Sequence, residues 1–166
     1  MELDLRIIRK SDKKYFLKWW TDKELIKLTS GDTKNIAPKQ LTKYFSRLVG
    51  KRGHFLILAD KKPIGSIYFQ AVNKTTFRFP IVIGEKKYRG RGYGSEAIRR
   101  ILALGFGKYN LKKACLEVRP ENKHAIHVYR KLGFRKTGLK KIPKNTYLPV
   151  VLKMELSRRE WKKTQH

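Results

Sequence analysis

A glycine-rich segment that follows a short apolar run is the stretch of this 166-residue sequence best suited to chemistry. Three glycines at alternate positions within residues 90–94 follow the apolar residues 81–83 and precede a helix-forming run that begins at Ser95. Glycine lets a ligand approach the backbone closely, and the first amides of a helix lack a partner within it and carry partial positive charge. Together with Arg89 and Arg91, the segment is predicted to bind a phosphate or a pyrophosphate.

Two common phosphate-binding motifs do not match this segment. A P-loop requires Gly-x-x-x-x-Gly-Lys-Ser/Thr, which the sequence does not contain. A dinucleotide-binding motif requires Gly-x-Gly-x-x-Gly and an acidic residue about 20 positions further on. Here the third glycine comes one position too early, and the later positions are Lys108-Tyr109-Asn110. The pattern that remains is Arg89-x-x-Gly92-x-Gly94.

A second motif follows at residues 122–134, and it reads Asn122-x-x-Ala125-Ile126-x-x-Tyr129-x-x-Leu132-Gly133-Phe134. Together the two motifs resemble the cofactor-binding half of the GNAT family of N-acetyltransferases. The resemblance is residue-specific from about Ile81 to Gly138, and the order of predicted elements resembles the family over the whole chain. The segment 157–161 resembles the corresponding part of the ribosomal-protein-alanine acetyltransferase branch.

The resemblance implies an acetyl-CoA-dependent enzyme in which an amine attacks the thioester directly, without an acyl-enzyme. Backbone amides of the glycine-rich loop would hold the pyrophosphate. Asn122 would contact the pantetheine arm or order the loop before its helix. The implied cofactor-binding residues are Ile83, Arg89, Gly90, Arg91, Gly92, Tyr93, Gly94, Ser95, Asn122, Ala125 and Tyr129.

Tyr129 occupies the position at which the family commonly places the general acid for the leaving thiolate. A phenol can donate a proton without being charged beforehand. The alternative is a core aromatic, because Ala125, Ile126, Tyr129 and Leu132 share one apolar helix face. The motif match favours the catalytic role.

The general base is harder to assign. Many family members carry a glutamate on the strand before the loop, whereas Arg78 stands there in this chain and cannot act as a base at neutral pH. Arg78 could instead pair with an anionic acceptor. Glu117 on the next strand is the predicted substitute, and its alternative role is a structural partner for a lysine or arginine. The other candidates are water, a strand-end His54 that would more often be simply exposed, and Glu24 and Asp22, which equally fit helix capping.

The charge is unusual, because 41 lysines and arginines oppose 13 acidic residues and the formal net charge is +28. A compositional bias and a polyanionic partner, such as RNA, a ribosomal surface or a nucleotide-linked substrate, both remain open. The positive electrostatic field of this net charge disfavours a polyamine or aminoglycoside acceptor. We therefore expect a protein N-terminal amine or the amino group of a nucleotide-linked or other small molecule. The alternative function is a catalytically degenerate module that binds RNA or the ribosome.

The length predicts a single domain over residues 1–166 with its own core. No stretch is long enough to span a membrane, and the N-terminal residues lack the pattern of a signal peptide. Cys115 is the single cysteine and reads as a buried, inert thiol, which favours an intracellular, cytoplasmic protein. No metal site is expected, since His124 and His127 lack a third ligand nearby. A monomer and a homodimer are equally compatible with the sequence.

The fold class implied by the resemblance is α/β (α+β), with a mixed, curved central sheet of about seven strands and helices on both faces. The cofactor is expected where the strand before the glycine-rich loop splays from residues 114–118. The predicted strands cover residues 3–8, 54–59, 64–72, 75–83, 114–118, 134–142 and 147–156. The predicted helices begin at Ser11, after the capping box Thr21–Glu24, at Pro38, at Gly92 and after Asn122, and residues 31–36 are predicted as a loop.

Overall fold

The computed structural model describes residues 2–29 and 36–165, and the chain forms two compact units. Unit 1 comprises Met1–Tyr68 and Ile81–Ala97, and unit 2 comprises Phe69–Pro80 and Ile98–His166. Because each unit contains two separate chain segments, this division does not test the prediction of a single domain. The loop predicted at residues 31–36 lies, apart from Ile36, outside the described residues.

Regular structure occupies most of the described chain. The strands are β1 (Leu3–Ile7), β2 (His54–Ala59), β3 (Lys62–Tyr68), β4 (Gln70–Ala71), β5 (Thr76–Arg78), β6 (Ile81–Ile83), β7 (Lys113–Val118), β8 (Arg135–Lys141) and β9 (Val150–Ser157). The α-helices are α1 (Lys13–Thr21), α2 (Lys23–Leu28), α3 (Pro38–Ser46), α4 (Tyr93–Ala103), α5 (Lys123–Lys131) and α6 (Arg158–Lys163). Short 3-10 helices cover Lys10–Asp12 and Lys86–Tyr88, and a π-helical turn covers Leu104–Lys108.

Within the described residues, each unit contains one sheet. In unit 1 the strand order is β1-β2-β3-β6 and every pairing is antiparallel. In unit 2 the order is β4-β5-β7-β9-β8, and the pairing of β5 with β7 is parallel whereas the others are antiparallel. The α/β fold class is therefore confirmed, but two sheets replace the single sheet of about seven strands.

Two of the predicted strands are divided between the sheets. The run 64–72 supplies β3 to one sheet and β4 to the other, and the run 75–83 supplies β5 and β6 in the same way. In the second run the break falls at Phe79-Pro80. Proline has no backbone N–H and cannot donate in a central ladder, so pairing cannot continue through this position. Alternation of apolar residues indicates a strand but not its partner.

The helix boundaries differ from the predictions by a few residues. A 3-10 turn with Arg9 as its N-cap precedes α1, so Ser11 is not the cap. The cap of α2 is Asp22, whose Oδ1 accepts a hydrogen bond from the Leu25 amide at 3.1 Å. As predicted, Pro38 occupies the first turn of α3.

The core of unit 1 is aromatic. Trp19 and Phe16 are only 2% and 1% exposed, with ring centroids 5.4 Å apart, and Phe16 lies 5.2 Å from the ring of Phe45. Ile8, Leu25 and Leu56 complete this cluster. The interpretation of the α1 aromatics as core packing is thus correct for Phe16 and Trp19.

Asp12 is a buried charge in unit 1, and it makes unit 1 sensitive to acid. Its carboxylate accepts hydrogen bonds from Arg6 at 3.0 and 2.9 Å and from the Arg9 amide at 2.7 Å. Burial alone would raise the pKa of Asp12, but these bonds and the charge of Arg6 hold the pKa below its usual value. The unfolded chain therefore binds more protons, and the stabilisation is present above the unfolded pKa and lost as the pH falls through the folded pKa.

Asp12→Asn is expected to lower the free energy of unfolding at pH 7 by about 2 kcal/mol, the usual value of a hydrogen-bonded charge. It should also flatten the decline in stability as the pH falls below about 4. Urea denaturation followed by circular dichroism at a series of pH values measures both effects. Asp60→Asn, at an exposed turn position, is the control. An unchanged acid dependence in Asp12→Asn would contradict the assignment.

Candidate active site

The glycine-rich loop joins β6 to α4 and lies in unit 1. Gly90 and Gly92 have φ angles of 72° and 86°, in the left-handed region that favours glycine. A Cβ atom built at either position would meet no described atom within 4 Å. At Gly94 the nearest atom to such a Cβ would be Ile83 Cγ1, at 3.7 Å. The two left-handed glycines therefore face open space rather than packed protein.

The loop leads directly into the first turn of α4. The amide of Glu96 donates to the carbonyl of Gly92 at 3.0 Å. The amides of Tyr93, Gly94 and Ser95 come before this bond and have no partner within the helix. With the open space beside the glycines, these amides fit a pyrophosphate, since they combine directed donors with the positive end of the helix dipole. Arg91 is exposed and has no side-chain partner among the described residues.

Arg89 is committed to the loop backbone. Its Nε donates to the carbonyl of Ile83 at 2.9 Å and its Nη2 to the carbonyl of Gly84 at 2.7 Å. The same Nη2 lies 3.6 Å from Oδ2 of Asp22, the N-cap of α2. The guanidinium therefore holds the two ends of the segment 83–89 together. The sequence motif marked Arg89 but could not reveal this arrangement.

Trp19 of α1 supports the same segment from the core. A Cβ at Gly84 would lie 2.3 Å from Cδ2 of the Trp19 ring, so only glycine fits there. The carboxylate of Glu85 accepts hydrogen bonds from Trp19 Nε1 at 3.0 Å and from Lys18 Nζ at 2.7 Å. Burial alone would raise the pKa of Glu85, but these two donors hold it below its usual value. The charged carboxylate thus joins α1 to the start of the loop.

The second motif lies in unit 2. Asn122 is the N-cap of α5, and its Oδ1 accepts a hydrogen bond from the amide of Ala125 at 3.0 Å. This bond fits the expectation that Asn122 orders the loop before the helix. Its predicted contact with the pantetheine arm, like that of Ala125, stays a prediction.

Tyr129 lies between two aromatic rings near the end of α5. Its ring centroid is 6.3 Å from that of Phe79 and 5.9 Å from that of Phe134, and both contacts are edge-on. Part of the side chain still reaches solvent, yet burial raises the pKa of the phenol to about 12. The hydroxyl is therefore protonated at neutral pH, which is the state that a general acid requires. The aromatic contacts satisfy the alternative interpretation of a packed aromatic. The role of Tyr129 as the general acid stays a prediction.

Arg78, considered as a partner of an anionic acceptor, and Glu117, considered as the general base, both have side-chain partners in the structure. Arg78 of β5 donates from Nε to Gln70 Oε1 at 2.9 Å. Glu117 of β7 accepts from Lys140 Nζ at 2.9 Å, and both side chains of this pair are exposed. The pairing matches the alternative of a structural partner for Glu117. Its role as general base stays a prediction.

The remaining candidate bases have distinct environments. His54 is 7% exposed, so the expectation of an exposed histidine is wrong. Its ring stacks on Tyr68 at 4.6 Å, and Nδ1 has no hydrogen-bond partner among the described residues. Burial, with a smaller effect from Lys51, lowers the pKa of His54 and favours the neutral imidazole. Asp22 is occupied as a helix cap, and Glu24 pairs with Lys86 at 3.0 Å.

Arg119 is a residue that sequence reasoning missed. Its backbone carbonyl accepts from the amide of Asn122 at 3.0 Å, directly before α5. The Nη1 atom is buried without a hydrogen-bond partner in the described chain, and the nearest carboxylate contact is Glu121 Oε2 to Nε at 3.8 Å. An unpaired buried donor of a cation is costly. The sequence offered one indication of this position: Arg119 lies between β7 and the second motif.

Metal and thiol chemistry find no support in the described residues. Within residues 2–29 and 36–165 there is no group of three or more His, Cys, Asp or Glu side chains that could hold a metal ion. Cys115 is half-buried, and burial raises the pKa of its thiol, which makes it a weak nucleophile.

Among the helices of the described chain, none is long and apolar enough to cross a membrane.

Comparison with known proteins agrees with this geometry. Residues 2–135 match the acetyltransferase (GNAT) domain family. Spermidine N(1)-acetyltransferase of Escherichia coli strain K12 is 36% identical over 86 residues, which are 51% of this chain and 46% of that protein. The uncharacterized N-acetyltransferase p20 of Bacillus licheniformis is 26% identical over 82% of this chain and 81% of its own length. The chain thus spans about half the length of the spermidine acetyltransferases that it matches.

A solved structure shows the same fold. The spermidine N-acetyltransferase of Vibrio cholerae, crystallised with CoA and spermine, superposes with a TM-score of 0.80 at 21% identity, over 96% of this chain and 98% of that one. The chain belongs to the GNAT acetyltransferase family. The predicted family is confirmed, and with it acetyl-CoA as the cofactor at the level of the family. The ribosomal-protein branch is not confirmed, and residues 157–161, on which it rested, lie outside the matched range.

Proposed function

We propose that this protein is an acetyl-CoA-dependent N-acetyltransferase that moves an acetyl group to a primary amine by direct attack in a ternary complex. The observation that carries the proposal is the open glycine cradle at Gly90 and Gly92, which leads into the first turn of α4. Acetyl-CoA would supply the acetyl group as a thioester. The amides of Tyr93, Gly94 and Ser95 hold its pyrophosphate.

The two arginines of the loop have different tasks in this proposal. Arg91 is exposed and adds positive charge beside the phosphate site. Arg89 positions the loop, because its guanidinium bonds the carbonyls of Ile83 and Gly84. The backbone that presents the donors is thereby preorganised, which lowers the cost of binding.

Proton movement is assigned to two groups. Tyr129 Oη donates its proton to the sulfur as the bond between the acetyl carbon and sulfur breaks, and its raised pKa of about 12 leaves the phenol protonated at neutral pH. The proton of the attacking amine goes to Glu117, with water and the neutral His54 as the alternatives. An amine that is already neutral would need no strong base.

The acceptor is a primary amine, and two lines of evidence differ on its class. The net charge of +28 disfavours a polycation, whereas the names of the relatives favour a polyamine such as spermidine. Three carboxylates of unit 1 that could bind a polyamine are already paired with chain cations, namely Asp22, Glu24 and Glu85. We therefore keep protein N-terminal amines and nucleotide-linked amino sugars in the proposal alongside spermidine. A cytoplasmic location and a monomeric or homodimeric state also stay predictions.

Titration calorimetry with acetyl-CoA tests the proposal at the loop. We expect binding of one acetyl-CoA per chain, about tenfold weaker in Arg91→Gln, with a difference that shrinks as salt is added. Arg89→Gln should also weaken binding, by a factor that does not change with the salt concentration. It should lower Tm as well, because it releases the loop backbone. Arg52→Gln, exposed elsewhere in unit 1, is the matched control. Failure of the wild-type chain to bind acetyl-CoA at low salt would overturn the proposal.

A thiol-release assay then identifies the acceptor. Free CoA is measured with spermidine, basic N-terminal peptides and nucleotide-linked amino sugars as separate acceptors. Release of CoA that occurs with one of these acceptor classes and not with the others identifies the substrate class. Saturable binding of acetyl-CoA with no turnover on any amine would instead support the degenerate binding module, which the arginine at position 78 favours.

A further inference from the structure

We propose that a groove in unit 2 binds the phosphate groups of a single-stranded nucleic acid, a function separate from acetyl transfer. The groove has a volume of about 580 Å³ and lies between the end of α5, the start of β8 and α6. Its charged lining residues are Arg130, Arg135, Lys136, Lys163 and Glu160. None of them belongs to the glycine-rich loop or carries a proposed step of acetyl transfer.

The cations of the groove outnumber the groups that could neutralise them. Among the described residues Glu160 is the only carboxylate in the lining, and it is already paired. It accepts hydrogen bonds from the amide and hydroxyl of Ser157 at 3.1 and 2.7 Å, and it pairs with Arg135 Nε at 3.1 Å. These hydrogen bonds and the nearby cations lower the pKa of Glu160, so it stays charged and occupied. Arg130 and Lys136 have no side-chain partner among the described residues.

Helix electrostatics explains only part of this cluster. Arg130 lies in the last turn of α5 and Lys163 in the last turn of α6, where cations complement the helix dipole. Arg135 and Lys136 lie on β8, where no dipole favours them. A general lysine bias would scatter cations over convex surface, but here they converge on one concavity.

The chemistry of the groove selects phosphates as the ligand. Guanidinium groups bind phosphate oxygens through paired, charge-assisted hydrogen bonds, and lysines add point charges. Beyond the ion pair of Arg135 with Glu160, the groove presents the cations Arg130, Lys136 and Lys163. Three such cations exceed what a single phosphate needs, which favours a strand that carries several phosphates. Phe134, the aromatic residue of the lining, is 2% exposed and offers no face on which a base could stack. Binding should therefore depend on the backbone and not on base sequence.

Fluorescence anisotropy with a labelled 20-nucleotide RNA tests the proposal at several salt concentrations between about 50 and 300 mM. The double variant Lys136→Gln/Lys163→Gln should bind more than tenfold more weakly at low salt and should reduce the slope of log K against log salt by about 1.4. Lys39→Gln/Lys43→Gln removes the same charge from exposed positions of α3 and should change the slope by less than about 0.5.

Three further outcomes decide the question. Equal losses in the two double variants would overturn the groove and leave only a diffuse positive surface. Failure of the wild-type chain to bind the RNA at low salt, with saturable binding of inorganic phosphate measured by calorimetry, would overturn the nucleic-acid ligand. Comparable binding of a DNA strand of the same length would support backbone recognition. Acetyl-CoA titration of the same variants should be unchanged, so failure here is distinguishable from failure of the proposed acetyltransferase.

Discussion

Replacing Tyr129 with phenylalanine is expected to lower kcat by about 10²- to 10⁴-fold, the usual contribution of a general acid. The ring keeps its contacts with Phe79 and Phe134, so Tm and the affinity for acetyl-CoA should change little. Because the pKa of the phenol is raised to about 12, the wild-type enzyme should show no loss of kcat from ionisation of Tyr129 at neutral or mildly alkaline pH. Steady-state kinetics with the acceptor identified in the thiol-release assay measures both effects.

Tyr44→Phe is the matched control for this experiment. Tyr44 is 40% exposed on α3, and its hydroxyl accepts a hydrogen bond from Gln40 at 2.9 Å. Its loss should leave kcat unchanged. If Tyr129→Phe retained the full kcat, Tyr129 would be a core aromatic of α5 and another group would protonate the leaving sulfur.

Gly84→Ala is expected to lower the free energy of unfolding by about 1–3 kcal/mol, the usual cost of overpacking. The new Cβ would lie 2.3 Å from Trp19 Cδ2, and the indole cannot retreat because it is buried and its Nε1 donates to Glu85. Displacement of Gly84 also disturbs the carbonyl that Arg89 binds. Acetyl-CoA should therefore bind more weakly as well. Thermal denaturation and calorimetry measure the two effects on one sample.

Gly107→Ala tests whether the effect comes from the contact and not from loss of glycine itself. A Cβ at Gly107 would meet nothing within 4 Å, so this change should be neutral or stabilise by up to about 1 kcal/mol. Equal destabilisation by the two substitutions would contradict the packing argument at position 84.

The motifs were predictable because their chemistry is local. A loop of alternating glycines before a helix has the same donors in any fold, and Asn122 caps the helix that begins one residue later. The order of elements followed from periodicity in the same way. Periodicity did not predict that the runs 64–72 and 75–83 are each divided between two sheets. Apolar alternation indicates a strand, but it does not specify which neighbouring strand pairs with it. Only Pro80 hinted at one of the breaks.

The sequence by itself identified the family, predicted the phosphate-binding loop and singled out Tyr129 as the candidate acid. The tertiary structure decided what the charged residues contact. Arg89 holds the carbonyls of Ile83 and Gly84, and the cations of the groove come from residues 130–163. The physical reason is range: a cap or a turn depends on neighbours within about four residues, whereas an ion pair or a groove depends on chain segments that only folding brings together.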